Sequence, residues 1–271
     1  MIPKTIHYCW FGRGEKPEVF EACVASWKKF APDYEIVEWN EDNFDIDSYP
    51  FARQAYDAGK YAFTSDVARL AVVHENGGIY LDTDVELKAP IDVFLEDEAF
   101  LFFQNAVSVN TGLGFGAQSG NPVIEAILKD YEGREFRPEQ MAEATCPVLN
   151  TAVLKQCLSN FLVSNITQKT EHVSVYSSSV YDRYAEHHDQ FSWMNEEHRK
   201  ALKYARKNPP NRAFWKYFRD PRIFAWFDKH GLEKLKYYYL FAVYDFVEYG
   251  PVYWGYKVIQ KIKQRVCERE H

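Results

Sequence analysis

The chain lacks a C-x-x-C pair, and its cysteines are odd in number: Cys9, Cys23, Cys146, Cys157 and Cys267. That usage argues against a disulfide frame and fits reduced thiols in a cytosolic compartment. The opening MIPKTIHYCWFG has no apolar core, so no secretory signal is expected. No apolar run reaches the about 18 uninterrupted residues that a membrane span needs. The best stretch, Tyr237–Tyr256, is broken by Asp245, Glu248 and Gly250-Pro251. An overall positive charge is also missing: the net is −7, which argues against wholesale nucleic-acid binding. Internal repeats and low-complexity linkers are absent, and the composition rules out disorder, collagen and coiled coil as whole-chain readings.

What is present is a soluble globular balance, with 46% hydrophobic and 26% charged residues over 271 positions. That length can bury a core without staples. Charge is uneven along it. Residues 1–199 hold 16 basic and 32 acidic side chains; residues 200–271 hold 16 and 7, with 18 of the 46 aromatics. We therefore expect two parts, a domain over 1–199 and an extension over 200–271 with another job.

Hydrophobic spacing predicts strands over Ile2–Phe11, Tyr34–Trp39, Ile79–Asp82, Ala99–Gln104, Leu113–Ala117 and Val173–Tyr176, with Val85–Leu87 continuing the third beyond a bend. Helices are predicted over Pro17–Phe30, Phe51–Ala58, Tyr61–Asn76, Pro122–Tyr131 and Val148–Leu158. Alternating strands and helices imply an α/β core with a largely parallel sheet. After Ser192-Trp193 the pattern is helical.

The segment Gly77-Gly78-Ile79-Tyr80-Leu81-Asp82-Thr83-Asp84 drives an apolar strand into two acids one residue apart. In an extended chain both would point the same way, about 6.5–7 Å apart. Their repulsion calls for a cation or an arginine. Carboxylate oxygens suit Mg²⁺ or Mn²⁺, which commonly bridge to phosphates. Upstream, Asp66 and Arg69 share one helical face, and the Gly77-Gly78 turn would fold that face back onto the acid strand. An acid there can accept from sugar hydroxyls, and an arginine can hold a phosphate in bidentate fashion. The small, polar run Asn105–Gly116 is expected to line an acceptor side, with Asn110 and Thr111 facing the sugar.

Three blocks then resemble glycosyltransferase family 32: the opening Ile2-Pro3-Lys4-Thr5-Ile6-His7, the S-D-x-x-R of Ser65–Arg69 with G-G-x-Y-L-D-x-D of Gly77–Asp84, and Glu186-His187-His188 with Ser192-Trp193. That family includes bacterial capsular-polysaccharide transferases, the yeast initiating mannosyltransferase and the glucosylating domains of clostridial toxins. The resemblance covers residues 2–193. It implies a GT-A fold, a nucleotide-sugar donor and retention of anomeric configuration. It places Trp10 near the nucleotide base and Asp66 and Arg69 on the donor sugar. Asp82 would reach ribose, sugar and, indirectly, the metal; Asp84 would ligate the metal directly. His187 or His188 would reach the metal or diphosphate, and Ser192 and Trp193 would close over the diphosphate. A nitrogen ligand beside carboxylates favours Mn²⁺ over Mg²⁺. A UDP-sugar donor and a glycan or lipid-linked glycan acceptor in capsule or lipopolysaccharide synthesis are the favoured partners.

The basic, aromatic 200–271 segment fits either a helical cap on the core or a surface lying on an anionic leaflet, which would put the enzyme at the inner face of the cell membrane. Two rivals remain at this level. A haloacid-dehalogenase-type phosphatase also carries D-x-D after an apolar strand, but it wants Thr or Val where this chain has Glu86. A catalytically dead carbohydrate-binding scaffold is opposed by the intact Asp66, Arg69, Asp82 and Asp84.

Overall fold

The computed structural model describes residues 1–188 except 106, 139, 140, 142 and 143. The proposed 200–271 extension, Ser192 and Trp193 lie outside the described residues. The described part is built on a sheet in the order β2-β1-β3-β6-β5-β8-β7. These strands are β1 (Thr5–Cys9), β2 (Glu35–Trp39), β3 (Gly78–Tyr80), β5 (Ala99–Phe102), β6 (Phe115–Ala117), β7 (Gln168–Lys169) and β8 (Ser174–Tyr176). The α/β expectation holds. Five strands run one way, while β6 and β7 run against their neighbours.

Helices cover both faces, which is why the central strands β3, β5 and β6 are buried at every position, while the edge strands β2 and β7 keep polar, part-exposed residues. On one face, α2 (Pro50–Asp57), α3 (Tyr61–Asn76), α4 (Pro122–Glu132) and α5 (Cys146–Cys157) bury Phe51, Leu70, Ile127 and Leu154 with Tyr80, Leu101 and Phe115 of the sheet. On the other, α1 (Glu18–Phe30) and α6 (Ser178–Tyr184) bury Cys23, Trp27 and Tyr181 with Ile6, Ile79 and Phe100. Pro17 stands just before α1, where its missing N–H costs nothing. Asn121 caps α4, its Oδ1 accepting from the N–H groups of Val123 and Ile124 at 3.0 and 3.2 Å.

The link that matters for the site is α3 to β3. Helix α3 is buried over most of its length, so it can only pack flat against the sheet and must reverse sharply. Gly77 (φ +68°) and Gly78 (φ +101°) supply that reversal in a region closed to side chains. A Cβ on Gly78 would stand 2.8 Å from His7 Nε2.

Two local expectations need correction. Strand β3 ends at Tyr80, and the chain then turns, with Val85 N–H donating to the Asp82 carbonyl at 2.9 Å. The two acids are therefore presented by a turn, not by alternation along an extended strand. Val85–Leu87 does not continue β3 either. It forms β4, which pairs antiparallel with β9 (Ala185–His187) in a separate two-stranded sheet. The turn aims this strand away from the main ladder, towards α1. There Trp27 Nε1 donates to the Val85 carbonyl and Leu87 N–H donates to Ser26 Oγ.

Candidate active site

Asp66 and Arg69 sit one turn apart on α3 and are almost fully buried. A buried guanidinium needs carboxylates around it, because desolvation otherwise makes the charge prohibitive. Arg69 has two. Its Nη2 lies 2.9 Å from Asp66 Oδ1 and 3.2 Å from Asp82 Oδ1. Its Nε donates to the Ser65 carbonyl, and its guanidinium carbon stands 5.0 Å from the centre of the Tyr80 ring. The Tyr80 hydroxyl donates to Asp82 Oδ1 at 2.9 Å. Arg69 Nη1 is buried and has no hydrogen-bond partner among the described residues. The Gly77-Gly78 reversal thus brings helix and acid turn into one polar cluster, as their spacing suggested.

Electrostatics follow from the burial. Desolvation pushes the Asp66 carboxyl up to about 6, with Arg69 pulling the other way and Asp82 adding to the rise. Desolvation also raises Asp82, opposed by Arg69 and reinforced by Asp84. For Arg69 desolvation works against the charge, but Asp82, Tyr80 and Asp66 outweigh it and hold the guanidinium protonated.

The second half of the cluster comes from far along the chain. Pairing of β4 with β9 sets Val85 opposite His187, one residue past Asp84. His187 Nε2 lies 3.1 Å from Asp84 Oδ1. Ligand atoms of Asp82, Asp84 and His187 lie within 4.8 Å of one another. Two carboxylates and an imidazole nitrogen at these distances could hold a divalent cation. The neighbouring histidine goes elsewhere. His188 N–H donates to the Asp84 carbonyl, and its Nε2 pairs with Glu86 Oε2 at 2.9 Å.

Other expected residues are placed as follows. Trp10 directly follows β1, is half-buried, leans on Phe20, and donates from Nε1 to the Gly14 carbonyl at 2.8 Å. Asn110 and Thr111 are buried and bonded internally. Asn110 Oδ1 accepts from Gly112 N–H and from the Cys146 thiol, and Thr111 Oγ1 accepts from Asn150 Nδ2. Sequence reasoning gave no role to Tyr80, Gly112, Cys146 or Glu86. Tyr80 and Glu86 stood within or just past the acid motif and Gly112 within the small polar run Asn105–Gly116; Cys146 carried no local signal.

Residues 17–101 match the family model described as the glycosyltransferase sugar-binding region containing a DXD motif. This segment of the chain is therefore similar to a DXD-type glycosyltransferase region. The chain is similar to inositol phosphoceramide mannosyltransferase 3 of Schizosaccharomyces pombe, 29% identical over 133 residues that span 48% of this chain and 37% of the relative. Inositol phosphoceramide mannosyltransferase 2 of the same yeast is 30% identical over 138 residues, 49% of this chain and 39% of that one. The chain therefore spans well under half the length of these curated relatives. Among solved structures, the PaToxG glycosyltransferase aligns with a TM-score of 0.45 at 19% identity, covering 57% of this chain and 69% of its own. The glycosyltransferase region ends beyond the acid turn and short of β9, so His187 comes from outside the matched segment.

Proposed function

We propose that this chain is a metal-dependent, retaining glycosyltransferase that moves a hexose from a nucleotide sugar to a hydroxyl of a glycan or glycolipid acceptor. One observation carries the reading: Asp82 belongs at once to the buried Asp66–Arg69 cluster and to the Asp84–His187 group. A site for a polar, charged donor needs that continuity between a guanidinium and a cation position.

Asp84 and His187, with Asp82 close by, would hold the ion, and a bound divalent cation supplies positive charge to a departing diphosphate. Arg69 Nη1 is itself buried, so the guanidinium acts through its charge, which draws the negative oxygens of the incoming diphosphate towards the cluster. Its guanidinium is fixed by Asp66 and Asp82 before any substrate arrives, so no reorganisation is needed when charge develops. Asp66 lies one helical turn behind and balances the positive charge of the acceptor-facing oxocarbenium through the cluster. The acceptor hydroxyl attacks on the face from which the diphosphate leaves; the new glycosidic bond forms as the sugar–phosphate bond breaks, the departing phosphate oxygen takes the hydroxyl proton, and configuration is retained without a covalent intermediate. Mass spectrometry of the enzyme trapped during turnover tests this, and a glycosyl adduct on any side chain would refute it.

The donor remains a UDP-sugar or a mannosyl nucleotide. The names of the yeast relatives favour the second and an inositol-phosphate lipid as acceptor class, while the family resemblance favours UDP-sugars and polysaccharide acceptors. A thermal-shift screen of UDP- and GDP-sugars with Mn²⁺, run on the wild type and on Asp84→Ala, separates these. A Mn²⁺-dependent rise with one nucleotide, absent in the variant, is expected. No rise with any nucleotide would sink the reading.

We further propose that residues 200–271 rest on an anionic membrane surface and bring the site to a lipid-linked acceptor; their basic and aromatic composition supports it. No helix among the described residues is long and apolar enough to cross a membrane. Flotation with phosphatidylglycerol liposomes should retain the full chain and lose a variant truncated at 199. Equal behaviour of the two would end this part of the proposal.

A further inference from the structure

The turn Thr111–Leu113 approaches the acid cluster more closely than a side chain would allow. A Cβ built on Gly112 would stand 2.8 Å from Asp82 Oδ2, 3.0 Å from Asn110 Oδ1 and 3.1 Å from Arg69 Nη1. Heavy atoms of unbonded groups do not settle at 2.8 Å from a methyl carbon, so one partner would have to move.

The turn itself cannot retreat. Asn110 Oδ1 accepts from Gly112 N–H at 2.7 Å and from Cys146 Sγ at 3.0 Å, and Asn110 Nδ2 donates to Gln104 Oε1 at 2.8 Å. Next to it, the fully buried Thr111 accepts from the fully buried Asn150 at 2.9 Å. These buried bonds tie the turn to α5 and to the end of β5, and breaking them would strand polar atoms away from water. The mobile partner is therefore the Asp82 carboxylate. Its other oxygen is held by the Tyr80 hydroxyl and Arg69, so a methyl at 112 would rotate it off both.

We propose that Gly112 is a positioning residue of the site. Its bare α-carbon lets the turn close directly on Asp82 and Arg69 and so fixes the carboxylate that links the guanidinium to the candidate metal ligands. The requirement is steric proximity, since no left-handed backbone angle is involved at this position. The inference rests on the reading of Asp82 as part of a donor and metal site.

The test uses the full-length chain and four variants: Gly112→Ala, Asp82→Ala, the double variant, and Gly133→Ala. Gly133 has open space where its Cβ would go and an ordinary φ of −88°, so it controls for the glycine-to-alanine change itself. The first readout is the thermal midpoint without ligand. Gly112→Ala should lower it by several degrees in the wild-type background and by clearly less in the Asp82→Ala background, because the shortest of the three contacts is then gone. If Gly112→Ala does not accumulate as folded protein, recovery of folded protein in the double variant gives the same answer. The second readout is Mn²⁺ affinity, by calorimetry with MnCl₂ in the presence of UDP or GDP, well below the midpoint. Gly112→Ala should weaken it at least tenfold and Gly133→Ala should leave it unchanged. An equal midpoint loss in both backgrounds, or an unchanged Mn²⁺ affinity in Gly112→Ala, overturns the proposal. Absence of any Mn²⁺ binding by the wild type would instead count against the metal-dependent function, and the midpoint cycle would still decide whether Gly112 positions Asp82.

Discussion

His7 grips the strand that carries the acid turn at both ends: its Nε2 is bonded to the Gly77 carbonyl at 2.9 Å, and its own carbonyl accepts from Leu81 N–H at 3.0 Å. The remaining ring nitrogen, Nδ1, accepts from Trp39 Nε1 at 3.1 Å. Both ring positions are thus committed, and the neutral tautomer with its proton on Nε2 is the one that satisfies them. The acid turn inherits its position from β1 through the ring and the backbone of this residue, beside the parallel pairing of Ile6 with Ile79.

Acid should loosen that grip. Burial pushes the His7 pKa below its ordinary value of 6.5. The unfolded chain then binds the proton more readily, so the stability supplied by neutral His7 is complete above about pH 6.5 and falls as pH drops below it. Thermal midpoints between pH 7.5 and 5 should decline less steeply in His7→Gln than in the wild type. Parallel profiles would argue that His7 does not titrate on unfolding.

Asp66 should act in the opposite sense. Its folded pKa of about 6 exceeds the ordinary 3.8, so the native state binds protons more tightly. Its contribution is most favourable below about pH 4 and is lost as pH rises towards 6. Asp66→Asn, which removes this titration, should gain stability relative to the wild type as pH rises from 4 to 7. A relative stability that stays flat over that range would contradict the assignment.

Removing Arg69 should cost far more than removing an exposed ion-pair partner. Arg69→Ala leaves Asp66 and Asp82 without their counter-charge, and breaking a buried pair in this way costs about 3–5 kcal/mol. Denaturant melts should register the loss. The double variant Arg69→Met/Asp66→Asn should recover part of it, because the uncompensated charge on α3 is gone. Failure of the double variant to recover would mean that Arg69 stabilises by packing instead.

The adjacent histidines should separate cleanly. His187→Ala removes a candidate ligand and should lower Mn²⁺ affinity at least tenfold with little change in thermal midpoint, since the side chain is part-exposed. His188→Ala removes only the bond to Glu86 that steadies a two-stranded sheet of three residues per strand, and should weaken binding by a smaller factor. Calorimetric titration of both variants with MnCl₂ checks the order; a larger loss in His188→Ala reverses the roles.

Much of this was legible in the chain itself, for reasons that are local. The spacing of Asp66 and Arg69 puts them on one helical face whatever surrounds them, and Gly77-Gly78 can only be a reversal after a buried helix. Those rules act over a few residues, through covalent geometry and side-chain period. Helix α3 was therefore readable to the residue, and so was the apolar run into Asp82 and Asp84. Tertiary packing decided the rest. Whether the acids sit on a strand or a turn depends on where β1 stops pairing with β3. The delivery of His187 to Asp84 depends on a strand pairing across about a hundred residues, and the closeness of Gly112 to Asp82 on hydrogen bonds from α5. No periodicity encodes such contacts, because they arise from which surfaces happen to meet once the sheet has formed.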